Sequence, residues 1–305
     1  MTGAALDAIV VAYGSRPDIA PCIESLQAVR GLATIMVVDH GTDGTAEVAS
    51  ALGALAVSDP SNPGFGAGHN HGMSLTSAPF VLLVNPDARA IPGAIEEGLT
   101  LMVRRPEVAA LQGVITDAAT GRPERSHGVA LGPAHLWGRA LHLRVLLRWP
   151  PVQALARRVA GLADHVERVP IGPVATEALA ATALLVRRRA FEEVGGFDQR
   201  FFLYGEDMDL SRRFREAGWT LLALPIPWAV HRAGSSHRSS WQREVQWWRG
   251  TMTFAAKWYP PRDWALALCA AVVRATTLAI RRPSGAVAAF GSMVSDPRRE
   301  RAHPH

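Results

Sequence analysis

Lysine and cysteine are scarce in this sequence, and both shortages are informative. Lys257 is the only lysine among 305 residues, so nearly all of the 32 Lys and Arg side chains are arginines. The two cysteines, Cys22 and Cys269, lie far apart, and neither has a Cys or His at a metal-binding spacing. This argues against a disulfide framework and against a structural zinc site. A reducing compartment fits this cysteine usage best.

Segments that would carry the chain into or across a membrane are also lacking. The amino terminus, MTGAALDAIVVAYGS, has an acid where a secretory signal has positive residues. The apolar stretch 264–280 is shorter than the roughly 20 residues of a spanning helix, and Arg274 interrupts it. We therefore expect a cytoplasmic protein that has no signal peptide and does not span the membrane.

Hydrophobic residues make up 48% of the chain, enough to build a large core. Through the first hundred residues, short apolar runs alternate with helical periods, a pattern typical of a parallel sheet with helices on both faces. The sequence thus predicts an α/β fold with a mostly parallel central sheet and a helical C-terminal appendage. We predict a catalytic domain over residues 1–235 and a basic, tryptophan-rich region over 236–305.

Polar side chains follow three predicted strands at the edge where open α/β sheets bind ligands. They are Tyr13, Asp39, Asp43, Asn85 and Asp87. Asp39 and Asp43 can accept hydrogen bonds from a base or a ribose, although Asp43 can equally cap the next helix. Asp87 follows the most apolar strand, where a carboxylate can hold a divalent cation, and a plain Asn-Pro-Asp turn is the alternative. Its position favours the cation.

A glycine-rich loop, NPGFGAGHNHG, runs into a predicted helix. Its candidate ligand-binding residues are Asn62, Gly64, Gly66 and Asn70. Glycines allow close approach of a diphosphate to the backbone, and a helix N-terminus favours anions. The spacing differs from the dinucleotide-binding fingerprint and from the P-loop, so it supports neither a dehydrogenase nor an NTPase.

Three acids crowd the start of a predicted helix in GGFDQRFFLYGEDMDLSRRFREAGW. They are Glu206, Asp207 and Asp209. Acids at a helix N-terminus are ordinarily explained by the helix dipole, but this cluster is denser than capping requires and follows an aromatic loop. A carboxylate here could take a proton from an attacking hydroxyl.

Together these segments resemble family 2 glycosyltransferases, especially their bacterial rhamnosyltransferase-like branch. The resemblance rests on VVAYGSRPDIAPCIESL, VVDHGTDGT, NPGFGAGHNHG, LLVNPDA and GFDQRFFLYGEDMDLSRRFREAGW, in that order through about the first 235 residues. It implies a GT-A fold, a divalent metal (Mn²⁺ or Mg²⁺) and inversion at the anomeric carbon. It also implies a nucleoside diphosphate sugar donor, dTDP-rhamnose, with UDP-linked hexoses as the alternative. Residues 1–115 would bind the donor, and 116–235 would hold the acceptor and the base.

The resemblance also assigns roles to individual residues. Asp39 would contact the nucleotide base, Asp87 would ligate the metal, and Asp207 would be the catalytic base. Glu206 is the alternative base. His231, in AVHRAG, matches a histidine that approaches the metal or the diphosphate in many relatives, although a lone histidine is more often structural.

The sequence departs from these relatives at two places. His40 stands where relatives have Asn, and Ala180-Ala181-Thr182 stands where they often have a glycine-rich segment that borders the acceptor. A glycan or glycolipid acceptor is expected. Other interpretations are an inactive GT-A domain that serves as a binding module, which should lack the acids, and a sugar nucleotidyltransferase. The latter needs a glycine-rich basic loop after the first strand, where this chain has AYGSRPD.

The net charge of +5 could attract nucleic acid, anionic lipid or a phosphorylated substrate, and the placement of the basic residues decides among these partners. Its arginines lie among tryptophans, an arrangement that suits lipid headgroups better than a nucleic acid backbone. We therefore expect no nucleic acid partner and a peripheral contact of residues 137–158 and 241–280 with the inner face of the membrane. Packing on the catalytic core, or a homodimer interface, is the alternative.

Overall fold

The computed structural model describes residues 5–124, 127–128, 131–141, 172–232 and 240–281. The strands are β1 (Leu6–Ala12), β2 (Leu32–Asp39), β3 (Leu55–Ser58), β4 (Phe80–Val84), β5 (Ala88–Ala90), β6 (Val108–Asp117), β7 (His127–Gly128), β8 (Val174–Ala175), β9 (Ala178–Leu179), β10 (Ala183–Arg187) and β11 (Thr220–His231). The helices are α1 (Ile19–Gln27), α2 (Thr45–Ala51), α3 (Phe65–Ser74), α4 (Pro92–Arg104), α5 (Pro133–Ala140), α6 (Arg188–Glu193), α7 (Glu206–Glu216), α8 (Ser240–Trp258) and α9 (Pro261–Arg281).

The main sheet has the strand order β3-β2-β1-β4-β10-β6-β11-β5, and β8 also pairs with β11. Strands β3, β2, β1 and β4 are parallel, whereas β10 is antiparallel to both of its neighbours. The expected α/β architecture is confirmed, with a mixed rather than wholly parallel sheet. Strands β1 and β4 are buried on both faces, which explains why β4, and β1 after Asp7, are continuous apolar runs.

The described residues form two compact units. The first contains the sheet and the helices that cover it, with one apolar cluster on each face of the sheet. The second contains α5, α8 and α9 and has its own cluster around Trp248. Within the described residues, no helix combines the length and the apolar character needed to cross a bilayer.

Two details differ from the sequence expectations for the first unit. The apolar run at residues 178–186 predicts one buried strand, but the structure has two strands there, β9 and β10, separated by a turn at residues 180–182. The sequence also predicts a helix around residues 68–75, whereas α3 begins three residues earlier, at Phe65. Both segments are rich in small residues, so they show no hydrophobic periodicity that would indicate where a strand or helix begins and ends.

Several tryptophans of the second unit pack against its apolar cluster. Trp248 is fully buried, and Trp241, Trp247 and Trp264 pack half-buried against the same apolar cluster. The structure therefore removes Trp248 from the expected interfacial surface, whereas the membrane contact expected for residues 241–280 stays a prediction. Most of the segment 137–158, for which the same surface was expected, lies outside the described residues.

A partly buried ion cluster joins the three helices of the second unit. Glu244 accepts hydrogen bonds from Arg139 Nη2 (2.5 Å), from Arg274 Nε (3.0 Å) and from Trp248 Nε1 (3.1 Å). Burial alone would raise the pKa of Glu244, but the two arginines outweigh it and hold the pKa below its ordinary value. Arg274, which interrupts the apolar stretch in the sequence, is thus a structural ion-pair partner.

Candidate active site

Asp87 and His231 meet across the antiparallel pair β5–β11. His231 lies opposite Ala88 in the register of the two strands, which brings the side chain of the preceding residue, Asp87, within reach. The Asp87 Oδ1 and His231 Nε2 atoms are 3.1 Å apart, and the two side chains are 6% and 12% exposed. The structure thus brings together the two residues for which the sequence predicts a metal-binding role.

Glu124 holds the other side of the His231 ring. Its Oε2 lies 2.9 Å from Nδ1. Burial lowers the pKa of His231, but the hydrogen bonds and charges of Asp87 and Glu124 outweigh it and raise the pKa to about 9. Sequence reasoning missed Glu124, because it lies in a loop without a motif and reaches the site only through tertiary folding.

The chemistry of this donor set fits a divalent cation. Mg²⁺ and Mn²⁺ accept carboxylate oxygens readily, and Mn²⁺ also accepts imidazole nitrogen. Metal-bound histidines commonly donate their second N–H to a carboxylate, as His231 Nδ1 can to Glu124. Asp87 and His231 would supply two ligands, and the described residues contain no group of three or more acid, histidine or cysteine ligands. Phosphate oxygens and water would complete the coordination shell.

Asp207 lies in the first turn of α7. Its Oδ1 accepts a hydrogen bond from the Met208 amide (2.8 Å), and the Ala181 amide also bonds this carboxylate. Burial raises the pKa of Asp207 above its ordinary value, against the opposing effect of these hydrogen bonds. A carboxylate with a raised pKa holds a proton more tightly, as a general base must.

The neighbouring acids of α7 have other surroundings. Glu206 is 5% exposed, whereas Asp207 is half-buried. Asp209 is fully buried and forms an ion pair with Arg213 one turn later (2.8 Å). Asp207 is therefore the only one of the three acids that is not buried as a whole residue.

A single turn connects Asp207 to the Asp87 loop. The Ala181 amide bonds Asp207, and the next residue, Thr182, accepts a hydrogen bond from the Asn85 amide (2.8 Å). Asn85 follows β4 directly and lies two residues before Asp87. The candidate base and the candidate metal ligand therefore share one edge of the sheet.

The acids after β2 are engaged in the folding of their own loop. Asp39 is 2% exposed, and its two oxygens accept hydrogen bonds from the amides of Gly41 (2.8 Å) and Ala46 (3.0 Å). Asp43 accepts hydrogen bonds from the Thr45 hydroxyl (2.6 Å) and from the Arg16 amide (3.0 Å). Burial would raise the pKa of Asp43, but these bonds outweigh it and lower the pKa.

Tyr13 differs from these acids in being exposed. It follows β1, its side chain is 48% exposed, and its amide bonds the hydroxyl of Ser15 (3.2 Å). This position leaves its ring available to a ligand at the carboxyl edge of the sheet.

Helix α3 uses its glycines for packing. A Cβ on Gly64 would lie 2.5 Å from the Phe202 carbonyl oxygen, and a Cβ on Gly66 would lie 2.8 Å from Phe197 Cβ. The Asn70 amide group makes two hydrogen bonds with the backbone of Phe197. These three residues thus have packing contacts or hydrogen bonds within the protein, and the donor contacts that the sequence predicts for them stay a prediction. Asn62 precedes the helix with φ of +46° and is half-buried.

Helix α3 contains one buried histidine, His69, and a second, His40, lies beside it. His69 is fully buried, its ring centroid is 4.5 Å from that of Phe65 and 5.8 Å from that of Phe197, and neither ring nitrogen has a partner within the described structure. Burial, with a smaller effect of His40, lowers the pKa of His69 to about 3. His40, the departure noted in the sequence, bonds the carbonyl of Asp59 through Nδ1 (2.8 Å).

Comparisons with known proteins identify the family to which the chain belongs. The family profile described as "Glycosyltransferase like family 2" matches residues 4–253. The chain is 28% identical over 284 residues to the N-acetylglucosaminyl-diphospho-decaprenol L-rhamnosyltransferase of Mycobacterium tuberculosis, covering 83% of this chain and 89% of that protein. It is 40% identical over 68 residues to rhamnosyltransferase WbbL of Escherichia coli K12, covering 22% and 26% of the two chains.

Solved structures share the fold at low sequence identity. GalNAc-T7 with UDP, GalNAc and Mn²⁺ matches with a TM-score of 0.60 and 12% identity over 85% of this chain, which spans about half (48%) of that protein's length. The Pyrobaculum calidifontis mannosyltransferase PcManGT, in complex with GDP-Man and Mn²⁺, matches with a TM-score of 0.54 and 15% identity, covering 97% and 86% of the two chains. The chain belongs to the glycosyltransferase-like family 2 and is a glycosyltransferase with the GT-A fold.

Proposed function

We propose that this chain is a metal-dependent, inverting rhamnosyltransferase that uses dTDP-rhamnose and a lipid-linked or cell-envelope glycan acceptor. One observation carries the proposal: the Asp87–His231 pair and Asp207 are connected through the turn at 180–182 on one sheet edge. A cation bound there would neutralise the charge of the departing diphosphate. Asp87 and His231 would hold it, with Glu124 orienting the imidazole.

Asp207 accepts the proton in the proposed reaction. The acceptor hydroxyl oxygen forms a bond to the anomeric carbon, while the bond from that carbon to the diphosphate oxygen breaks on the opposite face. The hydroxyl proton passes to Asp207, and the nucleoside diphosphate leaves with the electron pair. Because attack and departure occur on opposite faces, the anomeric configuration inverts.

Support for the donor and the acceptor comes from the relatives. The mycobacterial relative that matches over most of both chains is named for rhamnosyl transfer to an N-acetylglucosaminyl-diphospho-decaprenol. The shorter WbbL match is also named a rhamnosyltransferase. A panel of dTDP- and UDP-linked sugars with Mn²⁺ or Mg²⁺ tests the donor. Transfer from UDP-hexoses alone would overturn the rhamnose proposal.

The test of the base compares two neighbouring acids. Asp207→Asn should lower turnover by about 10²-fold or more, because a positioned base contributes that much, while donor binding measured by calorimetry stays near wild type. Glu206→Gln is the matched control and should be mild. A severe loss in Glu206→Gln with a mild effect in Asp207→Asn would assign the base to Glu206 instead.

We also propose that the second unit contacts the membrane where a lipid-linked acceptor resides, on its inner face. On α9, Leu266, Cys269 and Val272 form an exposed row at helical spacing. Such a row can enter the interface of a bilayer. A homodimer through this face is the competing outcome.

Anionic liposomes distinguish these outcomes. At low salt the full chain should sediment with the vesicles, and Leu266→Glu with Val272→Glu should release it to the supernatant. Val103→Glu changes an equally exposed apolar residue of the first unit (39%) and should have no effect. A wild-type chain that stays in the supernatant, or that elutes as a dimer disrupted by the α9 changes, would contradict membrane contact.

A further inference from the structure

Gln112, a residue of the adjacent strand β6, bonds both ends of the turn between β9 and β10. Gln112 Nε2 donates hydrogen bonds to the carbonyl oxygens of Ala180 (2.8 Å) and Ala183 (3.0 Å). Gln112 is 1% exposed, and these two bonds use both of its amide hydrogens. A residue 68 positions away in the sequence thus fixes both ends of this turn.

Gln112 does not serve packing alone. A buried primary amide is costly to desolvate unless its polar atoms are bonded, and an apolar side chain would fill this position at lower cost. The Gln112 Oε1 atom has no hydrogen-bond partner among the residues that the structure describes. The amide is therefore retained for its two N–H bonds to the turn.

The same turn contacts both parts of the proposed machinery. Between the two carbonyls that Gln112 holds, the Ala181 amide bonds the Asp207 carboxylate, and the Thr182 carbonyl accepts from the Asn85 amide. A shift of this turn would move the base relative to the loop that carries Asp87. A shift of about 1 Å at a reacting group is enough to slow an enzyme severely.

We infer that Gln112 is a positioning residue for sugar transfer, which fixes residues 180–183 so that Asp207 and the Asp87 loop keep their spacing. The inference rests on the function proposed above and extends it to a residue that touches neither substrate nor metal. Gln112 acts through the turn, so its removal should affect turnover more than donor binding.

The central experiment replaces the amide by a side chain of similar length without N–H groups. Gln112→Met should lower kcat by about 10- to 100-fold, the scale seen when supporting partners of a site are removed, with the donor KM little changed. In an Asp207→Asn background the same change should cost less than about threefold, because no base is left to position. Gln112→Leu, which also lacks N–H donors, is the second variant if Gln112→Met folds poorly.

Trp228→Phe is the matched control. Trp228 is fully buried, and its Nε1 donates to the Ala183 carbonyl (2.7 Å), so the change removes one bond to the same turn and leaves Ala180 held. It should lower the Tm while kcat stays near wild type. Equal losses of kcat in both variants, with a full additional loss in the Asp207→Asn background, would show a general structural role and overturn the inference.

Hydrogen exchange at single amides separates this inference from the proposed function. Gln112→Met should speed exchange at the Ala181 and Asn85 amides, whatever the role of Asp207, whereas Trp228→Phe should not. Full activity of Asp207→Asn would contradict the proposal that Asp207 is the base, but it would not change the exchange rates expected for Gln112→Met. Unchanged exchange at both amides in Gln112→Met would overturn the inference itself.

Discussion

Two histidines of the first unit, the half-buried His231 and the fully buried His69, have opposite properties. His231 lies between Asp87 and Glu124, which raise its pKa to about 9, whereas His69 lies between the rings of Phe65 and Phe197, and burial lowers its pKa to about 3. Their ordinary pKa is the same, about 6.5. Burial alone therefore does not identify a functional histidine. The partners of the ring decide whether it can exchange a proton for a metal or remains a neutral core residue.

The surrounding segments show the same contrast. At the sheet edge, Asp87 and Asp207 face polar partners that a substrate or cation can replace or join. Along α3, glycine and asparagine residues pack against Phe197 and Phe202. A glycine-rich helix start in an enzyme of this class is thus not by itself a phosphate-binding site.

The largest expected effect comes from removing either of the two proposed metal ligands, Asp87 or His231. Asp87→Asn and His231→Gln should each lower turnover by about 10³-fold, because a Lewis acid contributes several kcal/mol and each 1.36 kcal/mol is a factor of ten. EDTA should reduce the wild-type enzyme to the same level. Activity assays at limiting Mn²⁺, together with Mn²⁺ titration, measure both effects.

Glu124→Gln provides the graded control for this prediction. It leaves both proposed ligands in place and removes only the charge behind the imidazole, so Mn²⁺ affinity should fall by about 10- to 100-fold and excess Mn²⁺ should restore turnover. Full activity of metal-stripped enzyme, or of Asp87→Asn, would contradict the metal site.

Particular residues show how far the sequence could predict this site. The positions of Asp87 and Asp207 follow from local patterns, because each adjoins a strand or helix whose apolar period is clear. Glu124 and Gln112 could not be predicted, since each reaches its partner across more than 65 residues of sequence through tertiary folding. The packing role of Gly66 was equally hidden, because glycine allows close approach by a ligand and by a side chain alike.

A second, smaller effect concerns stability at acid pH. His69 has a folded-state pKa of about 3 against about 6.5 in the unfolded chain, so the unfolded state binds more protons between these values. Stability from this group is complete above pH 6.5 and decreases as the pH falls toward 3. At pH 5 the loss should be about 2 kcal/mol, that is 1.5 pH units at 1.36 kcal/mol each.

Urea unfolding at pH 7 and pH 5 measures this loss. His69→Phe, or His69→Leu if the larger ring does not fit, should remove about 2 kcal/mol of the pH dependence while leaving turnover at pH 7 near wild type. A variant that keeps the full pH dependence would assign it to other groups. A variant that loses activity without losing stability would show that His69, like His231, has a functional role.

The smallest expected effect tests whether α3 packs against protein or cradles a ligand. In Gly66→Ala the new Cβ would lie 2.8 Å from Phe197 Cβ, and overpacking of this kind costs about 1–3 kcal/mol. Alanine recovers about 1 kcal/mol through its helix propensity. The net loss of unfolding free energy should therefore be about 1 kcal/mol, with the donor KM unchanged.

Gly93→Ala in α4 is the control. A Cβ at this position meets no atom within 4 Å, so the substitution should not destabilise the protein. A raised donor KM in Gly66→Ala at wild-type stability would restore the diphosphate contact that the sequence predicts for this glycine.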